Sequence, residues 1–168
     1  MTILTVLRFP DERLRKKAVD VTDINQATNI IVEDMLETMY EENGVGLAAT
    51  QVDIHQRIVV MDVSENKDQP LVLINPEIMR LSEHQEAGWE ACLSLPGMRG
   101  YITRSASITY RALNILGEHV EKTVYNFHAR IIQHEIDHLN GILYPQRLDD
   151  FSAFGFEDSL PDFQQSNR

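Results

Sequence analysis

Over residues 25–43, apolar side chains recur at three- and four-residue steps: Ala27, Ile30, Ile31, Met35 and Met39. Glu33, Asp34, Glu37 and Glu41 fall off that face. The spacing predicts an amphipathic helix that ends at Asn43-Gly44 and packs its methionines into the core. From residue 57 the pattern changes. Residues 57–63 (RIVVMDV) and 71–74 (LVLI) are continuous apolar runs that read as strands, with a polar turn over 65–70. Ser107–Leu113 and residues 120–124 form a second expected pair about 114–117, and a second helix is expected over 125–139, stopped by Asn140-Gly141. A helix, several strands and another helix do not alternate as βαβ units do. The expected class is α+β, in a single domain. After Arg147 the chain turns polar and aromatic without a period, so an irregular strap is expected there.

A chain of 168 residues suits one domain. With 43% hydrophobic and 24% charged residues it can build a core, which excludes a disordered tail or a coiled coil. Fifteen Lys and Arg face 26 Asp and Glu, a net charge of −11, and such a surface repels phosphate backbones. Nucleic acid is therefore not an expected partner. Cys92 is the only cysteine, so no intramolecular disulfide can form and a reduced, cytoplasmic setting is expected. The apolar start at residues 1–7 is too short for a signal sequence, and no run approaches the roughly 18 apolar residues of a membrane span. A soluble protein with no membrane partner is expected.

The strongest local signal is His134-Glu135-Ile136-Asp137-His138, an HExxH motif. Residues four apart on a helix lie about 40° apart around the axis, so both imidazoles can reach one ion with Glu135 beside it. Phe127, Ile131, His134 and His138 repeat at steps of four, three and four, and that stripe reads as the buried face. A third ligand decides the class. The extended zinc-protease motif would need a His where Tyr144 stands, and the only Glu after the helix is Glu157. Cys92, in WEACLSLP, is the remaining soft ligand. A thiolate with two neutral imidazoles leaves a fourth position open, as catalysis requires. Glu90 reads either as a surface charge or as a support for the site, paired with Arg104. The segment from Gly44 to Gln51 (GVGLAATQ) lacks the Lys-Ser/Thr of a phosphate loop. Its small residues allow close backbone approach, and its Gln51 amide can donate to a developing oxyanion, although plain helix-to-strand packing would also explain the segment.

Taken in order, Gly44 to Gln51, Glu90 to Ser94 and His134 to His138 resemble the GxGxAAxQ, EGCLS and HExDH segments of the peptide deformylase family. The resemblance covers residues 8–150, the expected catalytic domain being 1–150 and an acidic tail 151–168. It implies an α+β fold with antiparallel sheets packed around the HExDH helix, and bacterial hydrolysis of formyl from the N-terminal formyl-methionine of new polypeptides. By position, Cys92, His134 and His138 would hold one divalent metal, typically Fe²⁺, with Ni²⁺ and Zn²⁺ as substitutes. Glu135 would be the general acid/base, and the Gln51 amide with the Leu93 backbone N–H would form the oxyanion hole. Gly46 and Val45 would align the peptide, with Gly88, Arg99, Phe127, Arg130 and Ile131 also against substrate. Glu90 and Arg104 would support the site from behind.

Three departures qualify that carry-over. Ala91 replaces the usual Gly beside the metal Cys. Gly88 and Arg130 stand where the family's methionine pocket is apolar, which suggests a wider pocket with a cation at its edge and a taste for polar or acidic side chains. The tail carries Asp149, Asp150, Glu157, Asp158 and Asp162 against Arg168 alone, so it is not expected to dock on ribosomal RNA. Two alternatives remain at this point: an HExxH endopeptidase, and a family member that binds blocked N-termini without hydrolysing them.

Overall fold

A computed structural model describes residues 2–160. Strands β1 (Gly46–Ala48), β2 (Ile58–Met61), β3 (Leu71–Leu81), β6 (Ser107–Leu113) and β7 (His119–Tyr125) form one antiparallel sheet in the order β1-β2-β3-β6-β7. β4 (Gln85–Cys92), β5 (Leu95–Ser105) and β8 (Phe154–Phe156) form a second, in the order β4-β5-β8. Helix α1 (Gln26–Glu41) covers one face of the larger sheet and α2 (Asn126–Leu139) the other.

The apolar run in β2 follows from that sandwiching. Side chains alternate across a strand, and here Val59 and Met61 face α2 while Ile58 and Val60 face α1. Both faces are covered, so both parities are apolar. Helix α1 starts where Asn25 accepts from the Ala27 and Thr28 amides, a capping box completed by the Thr28 hydroxyl. It stops at Asn43, whose φ of 57° is left-handed.

The buried stripe of α1 is rotated from the sequence expectation. It runs Thr28, Val32, Met35, Thr38 and Met39, while Ala27 is exposed and Ile30 is 51% exposed. Two threonines are tolerated inside because each is satisfied. Thr38 donates to Asp34 O and accepts from Leu4 N, which ties the N-terminal segment to the helix.

β3 runs seven residues past the expected 71–74, over a register shift that begins at Asn75-Pro76. The β4–β5 hairpin carries no clean apolar alternation and did not stand out as strands. The tail is the clearest correction: residues 154–156 add a third strand to β5, pairing Gly100 with Phe154 and Met98 with Phe156. Residues 161–168, the rest of the expected irregular tail, lie outside the described residues.

Candidate functional site

Helix α2 emerges directly from β7, and from Ala129 to Leu139 every residue is buried, polar ones included. It runs between the two sheets, so no face meets water. Phe127, one turn earlier, is 52% exposed and lies outside the buried stripe expected of it, because the first turn projects past the sheets. Gln133 shows how a polar residue survives inside: its amide exchanges two hydrogen bonds with the Ser105 backbone, as a strand would.

His134 and His138 lie one turn apart with their Nε2 atoms 3.1 Å from each other, and Cys92 Sγ lies 3.2 Å from His138 Nε2. Cys92 reaches this point from the tight turn that ends β4, where a register shift falls between Glu90 and Cys92. Ligands on bonds of about 2.0–2.3 Å to one tetrahedral ion lie roughly 3.3–3.6 Å apart. The two distances at His138 Nε2 come close to that spacing, and all three donor atoms lie within 4.8 Å of one another. Burial pushes His138 down, keeping its imidazole neutral with a lone pair to offer.

Glu90 organises the back of this cluster. Its Oε2 accepts from His134 Nδ1 at 2.8 Å, which puts a proton on Nδ1 and turns Nε2 toward His138. Arg104 forks onto the same carboxylate, Nε to Oε1 at 2.8 Å and Nη2 to Oε2 at 2.9 Å, then continues to Asp137 at 2.6 Å. Burial pushes the Glu90 carboxyl up, but the Arg104 and His134 hydrogen bonds outweigh it and hold it well below the usual range. Glu90 is ionised.

Gln51 sits in a short 3-10 turn after β1. Its Oε1 accepts from Ala48 N at 2.9 Å, so Nε2 is aimed at Ser94 Oγ (3.1 Å) and Cys92 Sγ (3.4 Å). The backbone of residues 7–9 clamps this arrangement, Leu7 N bonding Gln51 O and Phe9 N bonding Ser94 O. Glu135 lies in the wall of a cleft of about 400 Å³ with Gln51, Cys92 and His134. Its Oε2 is buried without a hydrogen-bond partner, and burial pushes its carboxyl up to about 7. β1 passes so close that a Cβ on Gly46 would strike the Glu135 carboxylate, the physical reason for glycine there.

The polypeptide deformylase family model matches residues 3–153. The chain belongs to that family. It is 51% identical over 144 residues to the peptide deformylase of Pseudoalteromonas translucida, covering 86% of each chain. Among solved structures, the peptide deformylase of Thermotoga maritima superposes with a TM-score of 0.86 at 41% identity, over 89% of this chain and 100% of that one. The class I type b enzyme of Acinetobacter baumannii bound to Met-Ala-Ser gives 0.82 at 34% identity, over 88% of this chain and 99% of that one. The family is metal-dependent, and Cys92, His134 and His138 are a donor set suited to one metal ion. This is a peptide-deformylase hydrolase of the α+β class, the enzymes that remove N-terminal formyl groups.

Within this deformylase the expected site residues divide into two groups. Val45, Gly46, Gln51, Cys92, Leu93, Arg99, Ile131, His134 and Glu135 line the cleft, and Ala91 lies exposed at its edge. His138, Glu90 and Arg104 stand behind it. Gly88, Phe127 and Arg130 do not line it. The Arg130 guanidinium is enclosed between α2 and β4–β5, on Glu90 Oε1 and on the Ile102 and Glu86 carbonyls. Several residues at the site were not singled out by sequence reasoning. Ser94 and Asp137 lie inside the motifs and were legible there. Tyr144, expected only as a missing ligand, stacks on His134 with ring centres 6.0 Å apart. Glu157 rims the cleft and pairs with Arg99 at 3.1 Å, and only the pairing of β8 onto β5 brings it there.

Proposed function

We propose that this deformylase acts on formyl-methionyl N-termini of nascent chains, with Cys92, His134 and His138 holding one Fe²⁺ that Zn²⁺ or Ni²⁺ can replace. The observation that carries the reading is the buried, unpartnered Glu135 Oε2 in the cleft wall beside the Cys/His/His cluster and the Gln51 amide. When bound, the ion supplies a Lewis acid that acidifies water and polarises a carbonyl oxygen. Glu135, raised toward neutrality by burial, takes the proton of the attacking water and returns it to the leaving amine. The Gln51 Nε2 and the Leu93 N–H donate to the oxyanion as the formyl carbon becomes tetrahedral. Ala48 N holds the far end of the Gln51 amide, so this donor is aimed before substrate arrives.

The peptide backbone lies along Val45 and Gly46, and Arg99 at the rim meets residues further along. For the first side chain, Val45, Leu93 and Ile131 offer apolar walls. The Arg130 charge is compensated by Glu90 outside the cleft, which argues for an apolar N-terminal residue over an acidic one. That the neighbouring enzyme from Acinetobacter baumannii binds Met-Ala-Ser supports the same choice. No described helix is long and apolar enough to cross a membrane, and the net charge of −11 disfavours nucleic acid, consistent with action in the cytoplasm on chains leaving the ribosome without docking through the tail.

The test is formate release from formyl-Met-Ala-Ser by protein purified anaerobically with Fe²⁺, beside Glu135→Gln and an unblocked peptide. Formate from the wild type that vanishes in a metal-loaded Glu135→Gln is expected. Cleavage of the unblocked peptide, or full activity in the variant, would refute the assignment.

A further inference from the structure

Arg130 stands one helical turn before His134, so the two point to the same side of α2, toward β4. From there its Nη1 donates to Glu90 Oε1 at 2.9 Å and to Ile102 O at 2.8 Å, while Nη2 donates to Glu86 O at 2.7 Å. The space it occupies is the space above Gly88. A Cβ at residue 88 would lie 3.0 Å from Nη2 and 3.2 Å from Cζ of Arg130, both in the planar end of a group pinned by four hydrogen bonds, the fourth from Nη1 to Gly88 O at 3.4 Å. Gly88 and Arg130 are therefore a matched pair: the bare strand position lets the guanidinium lie flat against β4.

The consequence falls on Glu90. Its Oε2 is filled by Arg104 Nη2 and His134 Nδ1, and Arg104 Nε approaches Oε1. Arg130 brings a second guanidinium onto Oε1, anchored in a different element. Apart from the His134 ring that it orients, the carboxylate would otherwise be fixed from β5 only, by the Arg104 fork. With Arg130 as well it is braced between β5 and the helix that carries His134. The charges alternate through the stack, Arg130, Glu90, Arg104, Asp137 and Arg147, so each buried ion has a partner.

We propose that Arg130, admitted by Gly88, is a positioning residue for the metal site, bracing Glu90 and through it the orientation of the His134 ring. The inference rests on reading Cys92, His134 and His138 as metal ligands. Loss of a group that orients a ligating histidine typically costs 10–100-fold in metal affinity.

The experiment loads wild type, Arg130→Leu and the swap Gly88→Ile/Arg130→Ile with Co²⁺. It records the thiolate-to-cobalt absorption band and the rate of metal loss to a chelator, with thermal melting as the folding control. Arg130→Leu should lose Co²⁺ about tenfold or more faster, with a shifted band. The swap refills the space with apolar atoms and should melt near the wild type, yet it should keep the fast metal loss. A space-filling role alone predicts instead that the swap restores wild-type retention, and that result overturns the proposal. So does an Arg130→Leu protein with unchanged band and release rate. A wild type that shows no thiolate band at all would overturn the metal-site reading itself, so the two failures are distinguishable.

Discussion

Gln51 illustrates how much work a single amide can do here. Its oxygen is held by Ala48 N and its nitrogen faces Ser94 and Cys92, so its orientation is decided before any substrate binds. Gln51→Ala should lower kcat about 10²-fold or more in formate release, with a much smaller change in KM, because the lost donor acts on charge that develops only in the transition state. The variant also removes the Gln51 acceptor of the buried Ala48 amide, a loss of about 0.5–1.5 kcal/mol that a thermal melt would register. Glu90 is the other residue-scale pivot. Removing its charge while keeping its shape, as in Glu90→Gln, leaves Arg104 and Arg130 facing an uncharged amide in a buried site. We expect a loss of several kcal/mol in urea unfolding, the usual result of breaking one side of a buried ion network.

At the scale of elements, the two helices differ in how their sequences read. α1 has one wet face, and its stripe is set by what β1 and β2 present to it. Met35 is fully buried there while Ile30 is 51% exposed, although a simple count of apolar steps puts both on the same face. Met35→Ala should therefore destabilise by about 2–5 kcal/mol and lower Tm by roughly 5–15 °C. Ile30→Ala should stay within about 0.5 kcal/mol, since a surface change away from special features rarely does more. Equal effects from the two substitutions would show that the helix is rotated from the orientation described. α2 has no wet face after its first turn, so periodicity has little to report. Its motif was legible instead, because the spacing of two histidines and a glutamate needs only a helix to acquire meaning. The β4–β5 hairpin was hard to read for the opposite reason. Its inward Glu90 and Cys92 belong to the site and Gly88 is left bare under Arg130, so polar and small residues replaced the apolar alternation that marks an ordinary strand.

For the whole molecule, acid stability should depend on Asp62. This carboxylate is 2% exposed and joins three parts of the fold, accepting from Tyr40 on α1, from Ser64 just after β2, and from Gln69 N before β3. Burial raises its pKa, but the Ser64 and Tyr40 hydrogen bonds outweigh that and leave it below the ordinary value. A carboxyl whose folded pKa is depressed stabilises the fold above its unfolded pKa of about 3.9, and that contribution is lost as pH falls through the folded value. Tyr40, pushed up to about 12 first by burial and then by Asp62, stays a donor throughout. Urea midpoints measured from pH 7 down to pH 2 should fall at the acid end for the wild type. Asp62→Asn should start lower and show a shallower decline, and parallel curves would count against the assignment.

The sequence by itself determined the class of fold and the family, and it picked out Cys92, His134 and His138 as one donor set. Those properties depend on residue type and local spacing: HExDH is a helix signal, GVGLAATQ a close-approach signal, and Cys92 a soft donor among apolar neighbours. What only the tertiary structure decided depends on which surfaces meet. Pairing across β4, β5 and α2 enclosed Arg130 over Gly88 and away from the cleft, although its position in the chain suggested a cation at the pocket edge. The addition of β8 to β5 carried Glu157 from an unpatterned tail to the rim beside Arg99. Both outcomes depend on long-range register, and no local period in a chain encodes which distant strand will lie beside it.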